Sequence, residues 1–197
     1  RAKMVEYYGD PQFTAKLDNC LTSLGVGMPE AWREVRPDVW QDEFGVQWDR
    51  TIDKDIGTVC NTVVMPENVK EYPFPDPDDP VRYAGYDSRI AQCPDQFVVA
   101  SLGFSLFERA WAMAGMENVL MAMVADPGFA NTLFDRILEY NLRIIDNACS
   151  HAVDAMYFGD DWGQQRGLIM GPDLWREYIR PRISQMYALV KSKGKRV

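Results

Sequence analysis

Phe97-Val98-Val99-Ala100-Ser101-Leu102-Gly103, an almost wholly apolar run closed by glycine, decides how the rest of the chain is organised. A run without polar alternation suits a strand covered on both faces, as in a parallel sheet. Reading downstream, Ser105-Leu106-Phe107-Glu108 fits a capping box and predicts a helix from Ser105. A second helix is predicted over about Met116 to Val124. Asp126-Pro127 then opens a third, reaching about Ser150, in which Phe129, Leu133, Phe134, Ile137, Leu138, Leu142, Ile145 and Cys149 make one apolar stripe. Asp154 to Phe158 is the next strand, closed by Gly159-Asp160-Asp161, and a Gly- and Gln-rich loop follows. Gly171-Pro172-Asp173 opens a helix through Trp175 and Ile179, which Pro181 kinks or restarts before Ile183, Met186, Leu189 and Val190 continue its apolar face. Strand, helices, strand, helices is the order of a parallel α/β protein. Pattern alone leaves a closed barrel and an open doubly wound sheet as alternatives.

Upstream the pattern is less regular. Asp10-Pro11 followed by Phe13, Leu17, Leu21 and Leu24 predicts an amphipathic helix to about Leu24, ended by Gly25 and Gly27. A stretch with Trp32, Trp40, Phe44 and Trp48 comes next, and Phe44 to Thr51 reads as short surface strands. From Pro66 to Pro80 the chain is mostly acid and proline, which predicts a solvated loop or arm. Its aspartates lack the glycine and glutamate of a calcium loop. Residues 1–80 are therefore read as an N-terminal helix and surface arm and residues 81–197 as βα units, in a single domain. The chain begins inside helix-like sequence without methionine and stops at Lys193-Gly194-Lys195-Arg196-Val197, where a helix has closed and a strand should begin. Both ends are expected to be cut.

Composition narrows the function. A hydrophobic content of 47% allows a sizeable core, and a net charge of -8 disfavours nucleic acid and anionic membrane surfaces as partners. No apolar run is long enough for a membrane span and no secretory leader is evident, which predicts a soluble cytoplasmic protein. Cys20, Cys60, Cys93 and Cys149 form no C-x-x-C pair, and His151 is the sole histidine, so spacing offers no metal site. The cysteines are read as small buried hydrophobes and the ten methionines as core filler.

In a parallel α/β protein, ligands meet residues just beyond the carboxyl ends of the strands. That rule selects Gly103-Phe104-Ser105, with Glu108 and Trp111 further along the helix, and the segment Gly159 to Arg166. There Asp160 and Asp161 are candidate catalytic carboxylates, and Trp162, Gln164 and Arg166 candidate substrate contacts beside Phe104 and Trp111. Spacing reads this second segment equally well as scaffold, with an aspartate capping backbone amides and Arg166 neutralising it. Ser105 lacks the second glycine of a nucleophile elbow and is read as a cap, with Glu108 as its partner. His151, at the end of the long helix, is assigned a structural role.

The run Tyr157-Phe158-Gly159-Asp160-Asp161-Trp162-Gly163-Gln164-Gln165-Arg166-Gly167, then Gly171-Pro172-Asp173-Leu174-Trp175 and Ile179-Arg180-Pro181-Arg182, resembles the uroporphyrinogen decarboxylase superfamily. That group includes the haem-pathway decarboxylase, a lyase of porphyrin biosynthesis, and cobamide-dependent methyltransferases. Asp42-Glu43-Phe44-Gly45-Val46-Gln47-Trp48 is similar to the methyltransferase-like branch. The resemblance implies a (β/α)8 TIM barrel, present here as an incomplete fragment because a full barrel takes about 250 residues. Exposed sheet edges would then be covered by a second copy or a companion chain. Departures bear on activity: Arg36 or a neighbour stands near the place of the decarboxylase aspartate, and Trp111 stands where a pocket tyrosine is expected. An indole cannot play the phenol's part. The resemblance thus implies methyl transfer to or from a corrinoid (cobalamin), presented by a corrinoid protein, with zinc activating a thiol in the full-length protein through ligands beyond Val197. Its alternatives are decarboxylation of a tetrapyrrole and a non-catalytic binding or assembly fragment.

Overall fold

The computed structural model describes residues 2–11, 13 and 20–197. Its centre is a three-stranded parallel sheet in the order β1 (Leu21–Gly25), β6 (Phe97–Leu102), β7 (Ala155–Phe158). Between β1 and β6 lie the short antiparallel strands β2 (Arg33–Arg36), β3 (Val39–Gln41), β4 (Gln47–Asp49) and β5 (Thr58–Val59), which form a separate sheet in sequence order. Helix α1 (Ala2–Tyr8) precedes them and α2 (Tyr86–Ala91) follows. Between β6 and β7 run α3 (Phe107–Ala114), α4 (Met116–Ala125) and α5 (Pro127–Ala148). After β7 comes a hairpin, β8 (Gly163–Gln164) with β9 (Gly167–Leu168), then α6 (Pro172–Leu174), a π-turn over Trp175–Ile179, and α7 (Arg180–Ser192). This is a mixed α/β fold with an open parallel sheet. The described strands do not close into a barrel.

The predicted strands at Phe97 and Asp154 and the long helix from Asp126 stand close to their expected bounds. Asp126 accepts a hydrogen bond from Phe129 N at 3.1 Å, and Pro127 sits in the first turn, where its missing N–H costs nothing. The apolar stripe of α5 packs against α3, α4 and α7. Pro181 acts as expected but through a particular device: the turn before it widens to π geometry, which absorbs the interrupted hydrogen-bond ladder.

Several expectations are corrected. The helix predicted from Asp10 to Leu24 ends in a strand: Leu21 to Gly25 pair in parallel register with Phe97 to Ser101. Residues 14–19 of that prediction lie outside the described residues. The run Phe97 to Leu102 is covered on one face only. Thr22, Val98, Ala100 and Met156 are buried beneath the helices, whereas Leu21, Phe97 and Tyr157 on the opposite face are exposed. The strands around Phe44 are not a surface feature, because Phe44, Val46 and Trp48 are buried in the main core. Of the cysteines, Cys149 is buried, Cys93 is partly covered, and Cys20 and Cys60 are exposed. Five methionines, Met4, Met28, Met65, Met116 and Met121, are exposed rather than core.

The acidic arm is held down rather than free. Asp78 pairs with Arg143 on α5 at 2.7 Å and Asp79 caps the 3-10 turn Pro80–Tyr83. Phe74 lies edge-on to Phe44 and Tyr140. His151, after α5, bonds Asp87 on α2 at 2.7 Å and stacks on Tyr83, which fits its structural assignment. No helix among the described residues is long and apolar enough to cross a membrane.

Candidate functional site

Three loops meet at the carboxyl ends of the parallel strands: Gly25 to Met28, Gly103 to Ser105, and Gly159 to Trp162. They meet closely because they carry glycine. The Gly159 N–H donates to Leu102 O at 2.9 Å and the Ser105 N–H to Gly159 O at 3.0 Å, and a Cβ on Gly159 would lie 3.4 Å from the Gly103 Cα. Between these loops Phe104 has a φ of +50°, a left-handed conformation that a bulky residue rarely adopts. The strain sets its ring edge-on to Trp48 and near Trp111, with centroids 5.4 and 6.1 Å away.

Beside Phe104 opens a cleft of about 310 Å³. Met28, Trp32, Phe44 and Phe104 give it apolar walls, and Asp42, Glu43, Arg82 and Arg109 are its charged lining. Every one of those charges is matched. Arg82 grips Glu43 with two parallel bonds of 3.0 and 2.8 Å, and the pair is almost sealed from solvent, at 1% and 6% exposure. Arg82 also donates through Nε to Asp76 O and through Nη1 to Gly27 O, which ties the acidic arm to the β1 loop. Arg109 on α3 donates to Asp42 Oδ2 at 3.1 Å and stacks over the Phe44 ring at 3.9 Å. The other oxygen of Asp42 accepts the Phe44 and Val46 N–H groups, and Gly45, at φ +77°, closes that turn. Sequence reading missed all four charged residues.

The second cluster lies at the end of β7. Asp160 accepts hydrogen bonds from Leu106 N at 3.2 Å, Phe107 N at 3.0 Å and Glu108 N at 2.8 Å, and from Trp162 Nε1. The capping box expected of Ser105 and Glu108 is thus replaced by one carboxylate from the neighbouring loop, placed where the helix dipole favours negative charge. Burial still pushes the Asp160 carboxyl above its ordinary range, against the pull of those donors. Glu108 is released for another part. Burial, with the charges of Asp160 and Asp161 beside it, raises its carboxyl to about 7.

The predicted site residues therefore separate. Phe104 lines the cleft; Trp111 backs Phe104 and Trp48 from behind; Asp160 and Trp162 are bonded to each other at the rim, where Trp162 meets Trp175. Asp161, Gln164 and Arg166 are exposed on or next to the β8–β9 hairpin. No group of three or more His, Cys, Asp or Glu side chains among the described residues could hold a metal ion.

A parallel sheet flanked by helices, with a cleft and an acidic rim at its strand carboxyl ends, defines an α/β protein. The particular family follows from comparison: the family model for uroporphyrinogen decarboxylase (URO-D) matches residues 43–197, and the chain belongs to that family. Comparison with curated proteins gave no match.

Proposed function

We propose that the protein is a methyltransferase-like member of the URO-D family, moving a methyl group from a small donor to or from a corrinoid, on a (β/α)8 barrel of which this sheet is part. The observation that carries the reading is the state of the cleft arginines. A porphyrinogen substrate bears carboxylates around its ring and needs cationic anchors, yet Arg82 and Arg109 are both engaged by Glu43 and Asp42. Taking a partner from a buried pair is strongly unfavourable. Trp111, at the place where a phenol is expected, has no O–H to offer. The barrel is supported by the far edge of β7, where Arg196 bridges Ala155 in parallel, in the position of a next strand.

In this reading Phe104 and the other apolar walls hold the donor. Asp160 positions α3 and Trp162, and Asp161, Trp162, Gln164 and Arg166 form the rim against which a corrinoid-bearing partner docks. Loss of a methyl leaves a heteroatom that needs a proton, and the candidate to supply it is Glu108, which lies outside the cleft lining at the rim beside Asp160 and Asp161, with its carboxyl raised to about 7. Zinc would supply thiol activation, but the described residues offer no ligand set for it, so no step is assigned to it.

The test is methyl transfer by the full-length protein. With cob(I)alamin and a panel of methanol, methylated amines and methoxybenzenes, its absorbance should decay with one donor class. No decay with any donor sinks the reading. Coproporphyrinogen released from uroporphyrinogen would replace it with decarboxylation, and tight binding of corrinoid or porphyrin without turnover would leave a binding role.

A further inference from the structure

We infer that the cleft is built for an uncharged, ring-sized ligand and turns away ions of either sign. This names the donor class for the methyl-transfer reading and rests on it. Both halves of a charge-recognition site are present, and both are already occupied by the protein itself.

An anion would need Arg82 or Arg109. Arg82 has its guanidinium filled by Glu43, Asp76 O and Gly27 O, and Arg109 faces Asp42. A cation would need a free carboxylate or an open aromatic face. Asp42 and Glu43 are held by those same arginines, and the four aromatic rings lining the cleft each carry a guanidinium. Arg50 lies 4.7 Å from the centre of Trp32, Arg109 lies 3.9 Å from Phe44 and 5.7 Å from Phe104, and Arg82 lies 5.7 Å from Tyr140. A quaternary ammonium seated on these rings would meet a like charge nearby. What the cleft leaves to a ligand is apolar contact with Val26, Met28, Leu102 and the ring edges, in a volume suited to one substituted ring, since the Ser101 hydroxyl already donates to Leu24 O and accepts from the Ser23 hydroxyl.

The measurement is a charge scan of calorimetric affinity on the full-length protein with three probes of similar shape: methoxybenzene, benzoate and benzyltrimethylammonium. Methoxybenzene is expected to bind at least ten-fold more tightly than either ion. Either ion binding as tightly as methoxybenzene, or no binding by any of the three, overturns the inference. Two variants add a gain of binding. Glu43→Gln keeps an acceptor for Arg82 but removes its countercharge, so benzoate should tighten about ten-fold relative to methoxybenzene. Arg109→Met frees Asp42 and the Phe44 face, so benzyltrimethylammonium should tighten instead. Folded variants, checked by circular dichroism, whose ion affinities stay at the wild-type level refute the charge argument. The two readings fail separately: methoxybenzene binding that persists without any cob(I)alamin decay defeats methyl transfer and leaves the cleft assignment standing.

Discussion

Two clusters of carboxylates sit at the same end of the sheet and are neutralised in opposite ways. Asp42 and Glu43 face guanidinium groups, which stay charged at any ordinary pH. Asp160 faces three backbone N–H groups and an indole, and its neighbours Glu108 and Asp161 bring further negative charge. Full countercharges fix a site's polarity, while partial charges on amides leave the nearby acid free to titrate. The cleft is thereby the fixed part of the region and the rim the part that responds to pH.

The largest consequence falls on the fixed side. Glu43→Ala leaves Arg82 charged and buried without its partner, and should destabilise the fold by about 3–5 kcal/mol. The double variant Glu43→Leu, Arg82→Met should recover most of that loss. Urea denaturation of both decides; a single-variant loss under about 1 kcal/mol would show that the pair does not hold this part of the fold together.

On the rim, Asp160→Ala removes acceptors from the first turn of α3 and from Trp162. The expected cost is smaller, about 2–3 kcal/mol, since water can reach part of the vacated space. Asp160→Asn keeps one acceptor oxygen and should lose about half as much. Trp162 emission should shift in both, which separates loss of this clamp from a general weakening.

The contrast also explains what could be read in the sequence. Phe97 to Leu102 and the stripe of α5 are legible because the signal lies within one element: a run of apolar residues, or a three- and four-residue recurrence over 22 residues. Leu17, Leu21 and Leu24 carry the same spacing, yet Leu21 to Gly25 is a strand, because its pairing is set by Phe97 to Ser101 and not by its own pattern. The cleft was invisible for a related reason. Arg82 meets Glu43 across 39 residues and Arg109 meets Asp42 across 67, distances over which spacing carries no information. The Asp42-to-Gly45 turn was open to recognition, as an aspartate two residues before an N–H it bonds, with glycine at the left-handed position. The helix cap was assigned to Ser105 because a capping box is local; the actual cap comes from 52 to 54 residues away.

Glu108 supplies the pH test of the comparison. Its folded carboxyl is raised to about 7 from 4.5, so the unfolded chain loses that proton first as pH rises. Its contribution is complete below 4.5 and is lost as pH climbs through about 7; Asp160, also raised, acts in the same direction. Because Glu108 is only half covered, the loss should be about 1 kcal/mol after solvent screening. Glu108→Gln should flatten that part of the stability profile. No pH slope in the wild type between 5 and 7.5, a window of about that width around the two values, would remove Glu108 from the proton-transfer role.

The smallest effect is the sharpest. Asp161 is exposed, so Asp161→Asn should change stability by less than about 0.5 kcal/mol. Yet its charge is among the causes that hold Glu108 protonated, so removing it should move the Glu108 midpoint down from about 7 toward 4.5. Carboxyl carbon resonances of labelled glutamate follow that midpoint directly. Asp161 is not part of the cleft lining, and the same substitution should leave the charge scan of the three probes untouched. A changed probe preference with an unmoved Glu108 would reverse the assignment, placing Asp161 in the electrostatics of the cleft and not in those of the rim.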